Sequence, residues 1–498
     1  MALSTLFGQG YEISVKFNVH NDTLILGHHR ANQLIPDDTI VTDQSGKAVF
    51  TGEDRLPGGM YFLFFPNKRY FDFLVGENQK FSISGDTSNF SGVSFKGDRQ
   101  NQVFSDYQKE MRRLSLKMQE LQQEKATAED KAAVDAEILA ARKELEALFN
   151  RTIQENDDLF FSVFLRATRD PQVPPSITDN SERYRYYRNH YFDNFDYTDD
   201  RLMRTPIYEN KIETYLDKLL PQLPDTLIEA ADMFVEASRG DDEHFKYLLI
   251  YLFNKYASSQ LMAAENVHVH LAEKYYIPEA HWSERKFIED LKEKVAKKKR
   301  CLIGAKAQNI EYRKLPNDLE KIKRLSIIAD EYKDKGLAVE TNLSESAAQN
   351  KKVELLSRWV DEQTQKGSSN ALEAKFTILW FWTPDCSHCR KATPKFHDAY
   401  VEKNLKEQGV EIIALYLNED IKDWQNFAKE QKRWIDFITE NELTGWTNVW
   451  NPFDAYRTNF DINSTPVLYV LDENKEILAK RISYEQALEV IESELSKQ

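Results

Sequence analysis

Between residues 11 and about 98 the chain alternates apolar and polar positions with a period of two. Tyr11, Ile13, Val15, Phe17 and Val19 fall on one face of an extended segment. Thr39–Val41 and Ala48–Phe50 flank Asp43-Gln44-Ser45-Gly46, a turn signal that predicts a hairpin. The aromatic-rich runs Met60–Phe65 and Tyr70–Val75 follow, and Phe81–Ser84 precedes a Gly85-Asp86 break. Short strands separated by turns at this spacing predict a small β-sandwich over 11–98. It carries no His/Cys cluster and reads as an accessory module.

From about residue 99 the period becomes helical. Phe104, Tyr107, Met111, Leu114, Met118 and Leu121 form one stripe, and Val134, Ile138, Ala141, Leu145 and Leu148 form a second. An Ala/Glu/Asp-rich break near 125–131 separates them, so the two predicted helices fold back as a hairpin. Its apolar stripe is core or a surface for self-association. Helices continue to about residue 300, broken at Pro171–Pro175, Pro206 and Pro224. The aromatic stretch Tyr184–Tyr197 suits helix packing or a ligand groove. His268 and His270, two apart, cannot share a helix face and do not make a metal site alone.

Beyond Cys301 the pattern alternates strands and helices. Lys375–Phe381 is a nearly unbroken apolar run, as a strand buried on both faces requires. Glu411–Leu417, Val467–Leu471 and Ile477–Ala479 are further strands, with helices at 393–407, 421–432 and 484–497. Two charged amphipathic helices, within about 316–368, read as an insertion. The predicted fold class is therefore multidomain α+β: an N-terminal β-sandwich (11–98), an all-α middle (99–300) and a C-terminal α/β domain (301–498).

The length of 498 residues allows about three domains, and an apolar fraction of 41% is enough for packed cores. A net charge of -15 argues against nucleic acid or an anionic membrane as a partner. The one basic block, Lys297–Arg300, closes a predicted helix and suits its C-terminus. No run of 18 apolar residues exists, so no membrane span is expected. Leu3–Phe7 followed by Gly8-Gln9-Gly10 is patterned like the tail of a secretory leader, and a flexible terminus is the alternative.

Only Cys301, Cys386 and Cys389 occur, which excludes a disulfide-stapled scaffold. Cys386-Ser387-His388-Cys389 follows at once on the central strand, which places Cys386 at the first turn of a helix. Free N–H groups and the dipole there favour thiolate, the reactive form. Cys386 is then the attacking sulfur and Cys389 the resolving one. Pro394 lies inside the helix, and Thr465-Pro466 precedes an apolar strand where a cis peptide is unsurprising.

Phe381-Trp382, the Cys386–Lys391 segment, Pro394 and Thr465-Pro466-Val467 together resemble the thioredoxin superfamily, in its TlpA/ResA-like envelope branch. Leu302-Ile303-Gly304 resembles the first strand of that branch. The N-terminal module, Asn194-Phe195-Asp196 and Arg204-Thr205-Pro206 resemble multidomain relatives from Gram-negative envelopes. The resemblance implies a thiol-disulfide oxidoreductase without bound cofactor, in the periplasm or cell envelope, with protein or peptide thiols and disulfides as partners. It implies Cys386 and Cys389 as the catalytic pair, with Thr465, Pro466 and Trp382 positioning substrate.

Two flanking residues depart from the family. Asp385 stands where Trp is usual, and a carboxylate there opposes thiolate formation. His388 acts the other way, since an imidazole there stabilises the thiolate. Trp380 and Ala392 occupy the positions where relatives place a buried acid, leaving Glu430, Asp436 or His397 as through-space substitutes. Competing readings are a structural zinc site using Cys301, Cys386, Cys389 and His388 or His397, a thiol peroxidase, and a non-catalytic envelope assembly protein with a redox-sensitive platform. Cys301 is either a core residue or a third exchanging thiol.

Overall fold

The structure, a computed structural model, describes residues 10–127, 130–325, 364–417, 424–451 and 455–497, with isolated positions 344, 347 and 351. The leader-like residues 3–9 and most of the expected helical insertion lie outside the described residues. The chain is a mixed α/β multidomain protein that packs as two compact units. One comprises Met1–Pro221 and Asp232–Leu248, the other Gln222–Ala231 and Leu249–Gln498. No helix among the described residues is long and apolar enough to cross a membrane.

In the first unit, strands β1 (Tyr11–Lys16), β2 (Thr23–Arg30), β3 (Gln33–Val41), β4 (Lys47–Gly52), β5 (Gly59–Phe64), β6 (Tyr70–Val75), β7 (Lys80–Asp86) and β8 (Asn89–Lys96) form two sheets. Their orders are β4-β1-β7-β8 and β3-β2-β5-β6. Ile13, Val15 and Phe17 of the period-two segment enter one core with Leu24, Leu63 and Phe73 from the other sheet. Burial of alternate side chains from both layers is what makes the sandwich.

The expected hairpin at 43–46 is corrected. The turn forms, with Gly46 N–H donating to Asp43 O and Asp43 Oδ1 accepting from Ser45 and Lys47 N–H. Yet β3 pairs with β2, and β4 pairs with β1. Thr42 explains the crossing: its hydroxyl donates to Val19 O and pins the corner where the chain changes layer. Local turn chemistry reports the reversal and not the strand it serves.

Helices α1 (Arg99–Thr127) and α2 (Lys131–Glu155) form the predicted hairpin. Leu121 and Met118 pack on Val134, Ile138 and Ala141. Exposed pairs Arg113–Glu144 and Lys125–Asp135 fix the antiparallel sense and add little energy. The aromatic stretch is packing: Tyr191 stacks on Tyr215 and Phe192 meets Phe234 edge-on.

In the second unit a seven-stranded sheet has the order β10-β9-β13-β12-β11-β14-β15. Its strands are β9 (Glu311–Lys314), β10 (Gln365–Ser368), β11 (Phe376–Trp382), β12 (Val410–Tyr416), β13 (Thr447–Trp450), β14 (Val467–Leu471) and β15 (Ile477–Lys480). All seven residues of β11 are buried, because helices and loops cover both faces. Ile378, Trp380 and Trp382 share one core with Cys389, Phe396 and Trp434. Leu379 and Phe381 share the opposite core with Cys301, Tyr469 and Ile477.

Leu302-Ile303-Gly304 is not a strand, which corrects the expectation for it. Gly304 takes a φ of 80°, in the left-handed region, and its N–H donates to Ile477 O alongside β15. The chain then crosses to the far side of the sheet before β9 begins.

The helix Ala264–Leu271 is clamped onto this sheet by a half-hidden ion network. Glu265 accepts from Lys298 at 2.7 Å and from Lys480, a lysine only 4% exposed. Asn266 adds paired bonds to Ile303 O and N–H. His268 lies nearby with Nδ1 against Phe253 O, and among the described residues no group of three metal-ligating side chains assembles.

Burial pushes the Glu265 carboxyl up, but the two ammonium groups outweigh it and hold the carboxyl below its ordinary value of 4.5. The network thus contributes stability above pH 4.5 and loses it as pH falls through the lower folded value. Glu265→Gln should cost about 3 kcal/mol at neutral pH. It should also remove part of the acid sensitivity of thermal melts. Equal melting temperatures for both proteins at pH 7 would contradict this clamp.

Candidate active site

The buried strand β11 delivers the chain to a tight turn in which Cys386 N–H donates to Thr383 O at 3.2 Å. The helix Ser387–Glu402 starts there, with Cys386 itself as its N-cap. Cys386 Sγ accepts a hydrogen bond from Cys389 N–H at 3.3 Å. A thiol thus fills the position usually held by a Ser, Thr or Asp oxygen. Pro394 lies inside the same helix.

The second wall is the loop before β14. The Thr465–Pro466 peptide is cis, and the Cys386 thiol donates to Thr465 O at 3.3 Å. Chain positions 79 residues apart therefore meet at one sulfur. Cys389 is fully buried, whereas Cys386 is half-buried and reachable.

The two thiols are driven apart in acidity. Burial pushes Cys386 up, but hydrogen bonds from the Cys389 thiol and N–H, the Thr465 side chain and the His388 N–H outweigh it. The net direction is down, toward thiolate. Burial, and then the hydrogen bond to Cys386, push Cys389 up to about 12. The outer sulfur is shifted toward thiolate and the inner one is held protonated.

The remaining sequence-predicted residues fall in different places. Trp382 is fully buried against Phe437, so any positioning it exerts passes through the loop and not through direct substrate contact. His388 is exposed, and its backbone N–H is what acts on Cys386. Asp385 is ion-paired with Arg433 of the helix Trp424–Glu440. Arg390 donates to the carbonyls of Pro384 and Asp385 at 2.8 and 3.2 Å.

The groups that act most strongly on Cys389 are not the acid-relay candidates. His397 Nε2 is paired with Thr444 O, Asp436 binds Lys432, and Glu430 acts on Tyr416. Cys301 sits under the opposite face of the sheet, its thiol donating to Lys298 O at 3.4 Å, so the fold keeps it from the pair. Sequence reasoning missed Arg433, and no local signal marks it: the pair spans 48 residues.

Residues 374–477 match the family model described as thioredoxin-like, and the C-terminal part of the chain is a thioredoxin-like domain. Residues 115–298 match a domain of unknown function, DUF5106. No curated protein matches the chain. Among solved structures, the chain is similar to a thioredoxin-like protein from Bacteroides caccae, at 17% identity and TM-score 0.41, covering 66% of this chain and 98% of that one. A domain of a possible thiol-disulfide isomerase from Cytophaga hutchinsonii matches at 25% identity and TM-score 0.25, covering 40% of this chain and 98% of that one. StoA from Bacillus subtilis matches at 25% identity and TM-score 0.21, covering 26% and 90%.

At pH 7, iodoacetamide should label Cys386 first, with a rate-against-pH midpoint below the ordinary thiol value. Cys389 and Cys301 should react only after denaturation, as peptide mass mapping would show. Labelling of Cys389 ahead of Cys386 would reverse the assignment.

Proposed function

We propose that the protein is a thiol-disulfide oxidoreductase acting on protein or peptide disulfides, with Cys386 as nucleophile and Cys389 as resolving thiol. The observation that carries this is the Cys386 sulfur itself: helix N-cap, acceptor from Cys389 N–H, and 3.3 Å from Thr465 O beside Pro466. A half-buried thiol with a lowered pKa next to a buried partner is the arrangement that exchange needs.

In the reductive direction the Cys386 thiolate attacks one sulfur of a substrate disulfide. A mixed disulfide forms, and the released substrate thiolate takes up a proton. Cys389 then gives its proton to solvent or to a leaving thiolate and attacks Cys386. The Cys386–Cys389 disulfide closes and the second substrate thiol leaves. Two electrons pass to the substrate, and the balance needs no cofactor or metal. The reverse sequence oxidises a dithiol, and the residues present serve either direction.

In this reading the backbone at Thr465, beside Pro466, holds an extended substrate segment by strand-like pairing. The TlpA/ResA-like pattern of the motif supports an activity in the periplasm or cell envelope. The β-sandwich (11–98) and helical segment (99–300) serve as partner-binding parts, with the hairpin as a surface for self-association. Their extent also supports a second reading, a non-catalytic envelope assembly protein whose redox domain is a platform.

Turnover of insulin disulfides or oxidised dithiothreitol separates the two. The wild type should cycle, and Cys386→Ser should lose about a hundredfold or more of the rate. Cys389→Ala should trap mixed disulfides that dithiothreitol releases. Absence of turnover with an empty trap would favour the platform.

A further inference from the structure

We propose that Arg433 is a positioning residue that neutralises Asp385 and thereby keeps the Cys386 thiol acidic, an inference that deepens the redox reading above and rests on it. The active-site turn puts a carboxylate one residue before the nucleophile. A free carboxylate there would repel the thiolate that the helix N-terminus favours. On a solvated surface, such repulsion between neighbouring side chains is worth about half a unit to one unit of thiol pKa.

The structure resolves this conflict from outside the motif. Arg433 reaches Asp385 from the helix Trp424–Glu440, whose Trp434, Ile435 and Ile438 are buried on the sheet. A rigid element therefore carries the guanidinium. Arg390 holds the same residue by its backbone carbonyl, which leaves the carboxylate to Arg433. Lys432, beside Arg433, is engaged by Asp436 at 3.1 Å.

Other charged groups stand around Cys386. His388, Arg390 and Lys391 are exposed on its own helix, and Glu440 lies along the groove shared by Asp385 and Arg433. Asp461, on the segment leading to Thr465, is paired with Arg481 at 2.6 Å. Thr465 and Pro466 contribute only neutral groups. The strongest influences on Cys386 acidity are burial and hydrogen bonds.

A double-mutant cycle read on the thiol tests this. The Cys386 pKa is measured from the pH dependence of its alkylation rate, with mass mapping of the labelled peptide. Wild type, Arg433→Gln, Arg433→Lys, Asp385→Asn and Asp385→Asn/Arg433→Gln are compared at low salt and at about 0.5 M salt. Arg433→Gln should raise the pKa by about half a unit to one unit at low salt. Arg433→Lys should stay near wild type. The double variant should match Asp385→Asn, and high salt should shrink the Arg433→Gln shift. A double variant as elevated as Arg433→Gln would overturn the proposal, because Arg433 would then act on the thiol directly. No shift in Arg433→Gln would overturn it as well. Disulfide turnover of the wild type is measured in parallel. The thiol pKa pattern is independent of turnover, so failure of the redox reading and failure of the Arg433 proposal are told apart.

Discussion

The hydrogen bond from Cys389 N–H to Cys386 Sγ is the constraint on which the rest of the site depends. It exists because a strand buried on both faces ends just short of a helix, and the first cysteine becomes the cap. One turn of helix then produces two opposite effects. The outer sulfur receives N–H groups and loses its proton more readily, while the inner sulfur is taken out of water and keeps it. The chemical asymmetry of the pair is thus a property of where a helix begins. The Thr465 carbonyl closes the other side and leaves the Cys386 sulfur half-buried, open to a partner disulfide.

Around that centre the fold separates tasks between the two faces of the sheet. Cys389 shares one core with Trp380, Trp382 and Trp434, while Cys301 lies in the other with Tyr469. Keeping the third thiol under the opposite face prevents a competing disulfide without excluding cysteine from the chain. The Lys298–Glu265–Lys480 network ties a helix to β15 on the margin of the same sheet, far in kind from the redox chemistry. Charge is used there for attachment and at Asp385–Arg433 for neutralisation.

Much of this was legible from the residues alone, wherever one element's periodicity or a short motif carries the information. The alternation at 11–19, the α1 and α2 stripes and the apolar run of β11 each declare an element and its buried face. The cysteine spacing and Thr465-Pro466 mark the candidate site. What escaped depends on contacts between distant segments. The turn at 43–46 is real, but only the Thr42 bond to Val19 O shows that it joins two sheets. Strand β13 is four residues, all buried, inside a Trp-rich run with no alternation to mark it. Asp385 reads as hostile to the thiolate until its partner on another helix is seen, and His388 acts through its backbone N–H, a group every residue but proline carries.

The central claim is that Cys386 and Cys389 form one redox couple held apart from Cys301. Equilibration of the full chain in graded ratios of reduced and oxidised dithiothreitol, followed by acid quench and alkylation mass counting, tests it most directly. The account predicts a single two-electron transition in which Cys386 and Cys389 change state together while Cys301 stays a thiol throughout. A pair that never closes, or a disulfide that includes Cys301, would contradict it.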